Sequence, residues 1–213
     1  MLRYARFFEH PYLSESARHF LFDVRHLDPR VISWCRVTSW QDREGVNWLQ
    51  IPYFDMDGKL IGVQNRNLGS PSRPPQEGGN LSRPNRFMFV KGSTTSIYNL
   101  PVLRLLRPGE ECWIAEGSSD CWSLLSDHHK AIAIASATLL QPSDKELLQR
   151  VTAQLSLRWK MAPDQDEPGL RLAAQLQAIL PKLQIVPLPE GCKDYSDFYV
   201  RHHDGAHAHE LLA

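Results

Sequence analysis

The chain has 213 residues, of which 42% are hydrophobic and 23% charged, and its formal net charge is zero. That length suits one domain or two small ones with a real core. No apolar run approaches the roughly 18 residues of a bilayer span, and Met1-Leu-Arg-Tyr-Ala-Arg has no signal-peptide core, which predicts a cytoplasmic protein with no membrane partner.

Residues 4–36 read as helical. Ser14 precedes an apolar run as a cap, and Asp28 followed by Pro29 opens a second helix. Nothing here suggests chemistry, and the aromatic side chains of this region are expected in the core. From Trp48 to Arg66 the pattern becomes a β-hairpin turning at Asp57-Gly58, with Asp55 and Asp57 as turn residues. Residues 69–86 are rich in Gly, Pro, Ser and Arg and form a loop without its own core. Arg86 to Gly92 returns as a strand, and Tyr98 to Gly109 is a short helix closed by Pro-Gly.

Strands and helices then alternate. Strands are expected over 111–116, 131–136, 157–162 and from Gln184, with helices over 118–128, from Pro142, over 168–180 and after Gly191. Ser143 and Glu146 have the spacing of a capping box. Repeated βα units imply an α/β fold with a mostly parallel sheet and right-handed crossovers. Cys35, Cys112, Cys121 and Cys192 include no C-x₂-C pair, which argues against a zinc ribbon or a disulfide framework, and Cys112 and Cys121, flanking a strand, read as buried small side chains.

Two strands end in acids: Trp113-Ile-Ala-Glu116-Gly117-Ser-Ser-Asp120, and the run from Leu157 to Asp164-Gln-Asp166-Glu-Pro-Gly169. A parallel sheet binds ligands beyond the carboxyl ends of its strands, so Glu116, Asp164 and Asp166 are expected at one rim. Carboxylates about 4 Å apart repel by about 4 kcal/mol at an effective dielectric of about 20. A divalent cation removes that penalty, and hard oxygen donors suit Mg²⁺. The residues alone therefore point to Mg²⁺-dependent phosphoryl transfer. Three other acid-x-acid pairs, Asp42/Glu44, Asp55/Asp57 and Asp144/Glu146, lack that strand-and-glycine context.

Charge is unevenly distributed. Lys59 to Arg107 holds eight bases and one acid, whereas Pro108 to the end holds 15 acids and 9 bases. Such a split suits a cleft that holds a polyanion against metal ions, or two opposite surfaces of unlike charge. His202, His203, His207 and His209 crowd a tail that is expected to be a fraying polar end rather than a metal site.

The order of these motifs resembles the TOPRIM domain, and in particular the catalytic core of bacterial DnaG-type primases and phage helicase-primases. Glu116-Gly117-Ser-Ser-Asp120 is similar to that family's E-G-x-x-D, and Asp164-Gln-Asp166-Glu-Pro-Gly169 to its D-x-D-x-x-G. Gly191-Cys-Lys193-Asp194-Tyr-Ser-Asp197 resembles a later K-D-x-N-D element. Upstream, Ile51 to Arg66, Phe89-Val-Lys91-Gly92 and Ile97-Tyr98-Asn99 resemble primase-specific elements, so the likeness covers residues 15–200. The family's lysine-containing segment before Lys91 has no lysine here, leaving Arg83 or Arg86 to substitute, and Ala137 replaces a usual glycine.

The resemblance implies a TOPRIM-type, mostly parallel sheet flanked by helices (109–200), preceded by a smaller mixed α+β basic subdomain (1–108) and followed by a polar tail (201–213). It implies that Glu116, Asp164 and Asp166 are catalytic and that Asp120, Asp194 and Asp197 complete a Mg²⁺ or Mn²⁺ rim. Arg66, Arg83, Arg86, Lys91 and Lys193 would contact nucleic acid or nucleotide. The implied activity is RNA primer synthesis from ribonucleoside triphosphates on single-stranded DNA. No zinc-binding or helicase-interacting domain is recognised, so a helicase or a separate zinc-binding recruitment protein is an expected partner. A TOPRIM nuclease, or an accessory nucleic-acid-binding factor without catalysis, fits the same residues.

Overall fold

A computed structural model of the chain describes residues 2–69, 86–94 and 97–210, the side chains of 2, 137 and 205–210 excepted. Its contacts divide into two units, Met1–Tyr53 with Leu60–Thr95, and Phe54–Lys59 with Ser96–Ala213. Among the described residues, no helix is long and apolar enough to cross a membrane.

The first unit opens with α1 (Leu2–Glu9), α2 (Glu15–Arg18) running into a π-helical turn (His19–Val24), and α3 (Pro29–Trp34). The expected caps are present: Ser14 Oγ accepts the Ala17 N–H at 3.3 Å and Asp28 Oδ1 accepts the Arg30 N–H at 2.7 Å. Pro29 occupies the first helical turn, where its missing N–H costs no helical bond. Four strands follow, β1 (Thr38–Gln41), β2 (Asn47–Phe54), β3 (Leu60–Gly69) and β4 (Phe87–Phe89), in the order β1-β2-β3-β4. β1 pairs antiparallel with β2, and β3 with β4. The hairpin between β2 and β3 closes through the Asp55 N–H on the Lys59 carbonyl at 3.0 Å, and Asp55 Oδ1 accepts the N–H groups of Asp57 and Lys59. Both acids are turn residues, as their spacing predicts. β1 has no counterpart in the sequence reading, because Thr-Ser-Trp-Gln is a short edge strand with no run of alternating apolar residues. The aromatic expectation fails in part: Phe8 is buried, but Phe7, Tyr12 and Trp34 are exposed.

The second unit is built on β5 (Glu111–Ala115), β6 (Ala131–Ala133), β7 (Arg158–Met161) and β8 (Gln184–Ile185), parallel and in the order β6-β5-β7-β8. Alternation along β5 decides which layer covers which face. Cys112 and Ile114, with Ile132, Trp159 and Met161, pack into one core with α5 (Pro142–Leu155) and α6 (Glu167–Ile179) through Leu148, Val151, Leu172 and Leu176. Trp113 points the other way, edge-on to Tyr195 at 5.8 Å, towards α4 (Ser118–Ser126) and α7 (Tyr195–Glu210), which contact each other. The Trp122 indole N–H donates to the Tyr98 hydroxyl at 2.8 Å inside this layer. All four cysteines are free, as expected, and all four are buried.

Three details differ from the sequence reading. The capping box of α5 is Gln141 with Asp144 rather than Ser143 with Glu146, because Pro142 takes the first helical position and the cap must precede it. β8 stops after Ile185, since Pro187 and Pro189 lack the N–H groups a longer ladder needs. The stretch read as a fraying tail continues α7 as helix to Glu210.

Candidate active site

The order β6-β5-β7-β8 reverses direction at β5: the chain goes from β5 to β6 on one side and reaches β7 on the other. The helices after β5 and β7 therefore start beside one another at a topological switch point, where α/β sheets hold ligands. Glu116 directly follows β5, and Asp164 lies just beyond Met161, the end of β7. Two glycines shape this crevice for different reasons. Gly117 has φ +113°, a conformation that L side chains rarely adopt, although only Asp120 Oδ2 at 3.9 Å would meet its Cβ. Gly169 is instead required for space. A Cβ there would lie 2.9 Å from the Asp164 nitrogen and 3.0 Å from its carbonyl carbon, and closer still to the carbonyl oxygen.

Burial and mutual repulsion set the electrostatics. Burial, and then the charge of Asp166, push the Glu116 carboxyl up to about 7. Burial first, and then the charges of Asp120, Glu116, Asp194 and Asp166, push Asp164 up to about 8. Glu116 Oε2 is buried and has no hydrogen-bond partner. The other acids are held by backbone donors. Asp120, itself buried, accepts the Ser196 N–H at 2.9 Å, and Asp166 caps α6 by accepting the Gly169 N–H at 2.9 Å. Asp194 Oδ1 accepts the Asp197 N–H at 2.7 Å, while the Gln165 N–H on the Lys193 carbonyl at 2.8 Å ties the two acidic loops together.

The crevice thus gathers Glu116, Asp120, Asp164, Asp166 and Asp194 within electrostatic reach of one another. Asp197 differs from these acids in its partners. Burial pushes its pKa upward, but the Lys193 N–H and the Arg201 guanidinium outweigh this and hold it low, with both oxygens engaged. It orders the loop into α7. Carboxylates with one orphaned oxygen are the donor chemistry a hard divalent cation takes. Among the described residues, no three His, Cys, Asp or Glu side chains are placed to hold an ion together, whereas Mg²⁺ needs only one or two carboxylates beside water and phosphate oxygens.

No protein-family model matches the chain, and neither does any curated protein. Solved structures do. The primase fragment of the bacteriophage T7 primase-helicase matches with a TM-score of 0.62 and 16% identity over 89% of this chain and 72% of that one. The RNA polymerase domain of the Mycobacterium tuberculosis primase DnaG, in complex with double-stranded DNA, gives 0.64 and 17% over 90% and 71%. A DnaG primase catalytic domain bound to single-stranded DNA gives 0.60 and 18% over 92% and 70%. The fold is that of a primase catalytic core.

Within this primase-core fold the other acid-x-acid pairs are accounted for by local structure. Asp42 accepts from Val46 and the Trp48 indole, Asp55 closes the hairpin, and Asp144 caps α5. The expected basic contacts vary in kind. Arg66 is buried, with its guanidinium 4.5 Å from the Phe20 ring centroid and 5.2 Å from that of Phe87. Arg86 and Lys91 are exposed on the same unit, and Arg83 lies outside the described residues. Lys193 is exposed beside Asp194, at 3.5 Å. The sequence reading missed Ser118, whose hydroxyl is buried and unpartnered at the start of α4. It sits at a variable position of E-G-x-x-D, so no sequence signal marks it.

Proposed function

We propose that the chain is a metal-dependent nucleotidyltransferase core that synthesises RNA primers on single-stranded DNA. The observation that carries this reading is the pair Glu116 and Asp164, set at adjacent strand ends and pushed up to about 7 and about 8. Half-buried acids perturbed in this way inside a crevice mark functional sites. Asp164 and Asp166, with Asp120 and Asp194, would hold Mg²⁺ or Mn²⁺, which leaves Glu116 free for proton transfer. Bound there, the cation would neutralise charge building on the transferred phosphate. Glu116, with an unpartnered oxygen and a pKa near neutrality, suits a proton acceptor for the attacking hydroxyl. Asp120 and Asp194 anchor the loops that carry it, and Lys193, exposed at the rim, can meet a triphosphate.

The neighbours with the same fold support the choice of substrate, since their structures hold single-stranded DNA or an RNA/DNA hybrid. One of them is a fragment of a primase-helicase, which supports a helicase as partner. The test is de novo dinucleotide synthesis on mixed single-stranded templates with Mg²⁺ or Mn²⁺, wild type beside Glu116→Gln. A loss of about 10²–10⁴-fold in the variant is the expected result for a proton-transfer group. Equal product from both would remove Glu116 from the chemistry. Shortening of the template in place of primer synthesis would assign the crevice to phosphodiester hydrolysis.

A further inference from the structure

Away from the acidic crevice, the first unit has a cavity of about 540 Å³, a size in the range of small-ligand pockets. β1–β2 pairing sets Thr38 opposite Gln50 and Trp40 opposite Trp48, which places all four on one face of the antiparallel sheet. Thr38, Gln50 and Asn65 line the cavity together with Tyr4, Phe7, Tyr12 and Trp40. Phe7, Tyr12 and Trp40 are 43%, 68% and 42% exposed, so their rings stand open at the cavity.

We infer that this cavity is a nucleobase pocket for single-stranded nucleic acid. The aromatic walls offer rings for a base to stack on, which is how sequence-tolerant single-strand binding is built. Arg6 and His10 line the same cavity, and among the described residues no carboxylate does, so the rim suits the phosphates attached to a base. The ligand class rests on the nucleic-acid reading above, while the pocket itself lies wholly in the first unit and needs no metal.

The test is binding of a short labelled single-stranded DNA without metal or nucleotide, measured beside the same backbone carrying abasic sugars. Wild type is expected to prefer the base-bearing strand. Trp40→Ala is expected to weaken that strand by about 5- to 150-fold and leave the abasic one unchanged. Tyr12→Ala, which keeps Trp40, is expected to weaken the base-bearing strand by about 5- to 150-fold as well. Wild-type binding that ignores the bases, or is unaffected by either substitution, overturns the pocket and leaves the primer-synthesis reading standing. No binding of wild type to any single strand overturns both.

Discussion

Gly169→Ala tests whether α6 positions Asp164. The added Cβ would stand 2.9 Å from the Asp164 nitrogen and 3.0 Å from its carbonyl carbon, where ordinary contact begins near 3.4 Å. The obstacle is backbone, so no side-chain rotation relieves it, and the helix or the strand end must move by at least about 0.5 Å. Overpacking of this kind costs about 1–3 kcal/mol, offset by up to about 1 kcal/mol from alanine's better helix propensity. A net loss of about 1–2 kcal/mol lowers the melting temperature by about 2–8 °C for a chain of this size. Because about 1 Å of misplacement can cost about 100-fold in rate, half of that predicts about a tenfold slower primer synthesis. Leu170→Ala is the control: Leu170 is exposed and next in the helix, so its loss should stay within about 0.5 kcal/mol. If Gly169→Ala melts and turns over as Leu170→Ala does, close approach to Asp164 is not what the glycine is for.

Stability without metal should fall as pH rises. Glu116 and Asp164 stand at about 7 and about 8 in the folded chain, against about 4 unfolded, so the native state binds more protons throughout that window. The melting temperature is expected to drop from about pH 5 to about pH 8, less steeply in Asp164→Asn or with saturating Mg²⁺. An Asp164→Asn slope equal to that of wild type would contradict the assignment. Asp144→Ala removes the capping box of α5, and about 0.5–2 kcal/mol of stability should go with it while primer synthesis at permissive temperature is kept. Ser118→Ala deletes a hydroxyl without a partner, so thermal melting should be unchanged or slightly higher. A large loss of stability would show a bond the fold depends on, whereas a higher KM at unchanged stability would show the hydroxyl serving the nucleotide.

Local signals were enough for much of this protein. The hairpin at Asp57-Gly58, the Asp28-Pro29 helix start and the βα alternation after Glu111 are each fixed within a few residues, by turn chemistry, capping or hydrophobic period. The strand-ending acids Glu116, Asp164 and Asp166 were legible for the same reason: an apolar run, an acid and a glycine lie next to each other in the chain. What the chain could not show is which acids become neighbours. That depends on strand order, and β5 lying beside β7 is a pairing of segments far apart in sequence. Only this pairing brings Asp164 within reach of Glu116 and Asp120, and only the fold around α7 commits Asp197 to Lys193 and Arg201. Burial was equally hidden. Arg66 reads as a phosphate contact by motif, yet the sheet covers it between Phe20 and Phe87. Tyr12 and Phe7 read as core, yet the fold leaves them at the surface. Residue type and spacing determine which elements form, whereas solvent exposure and long-range charge are properties of the packed chain.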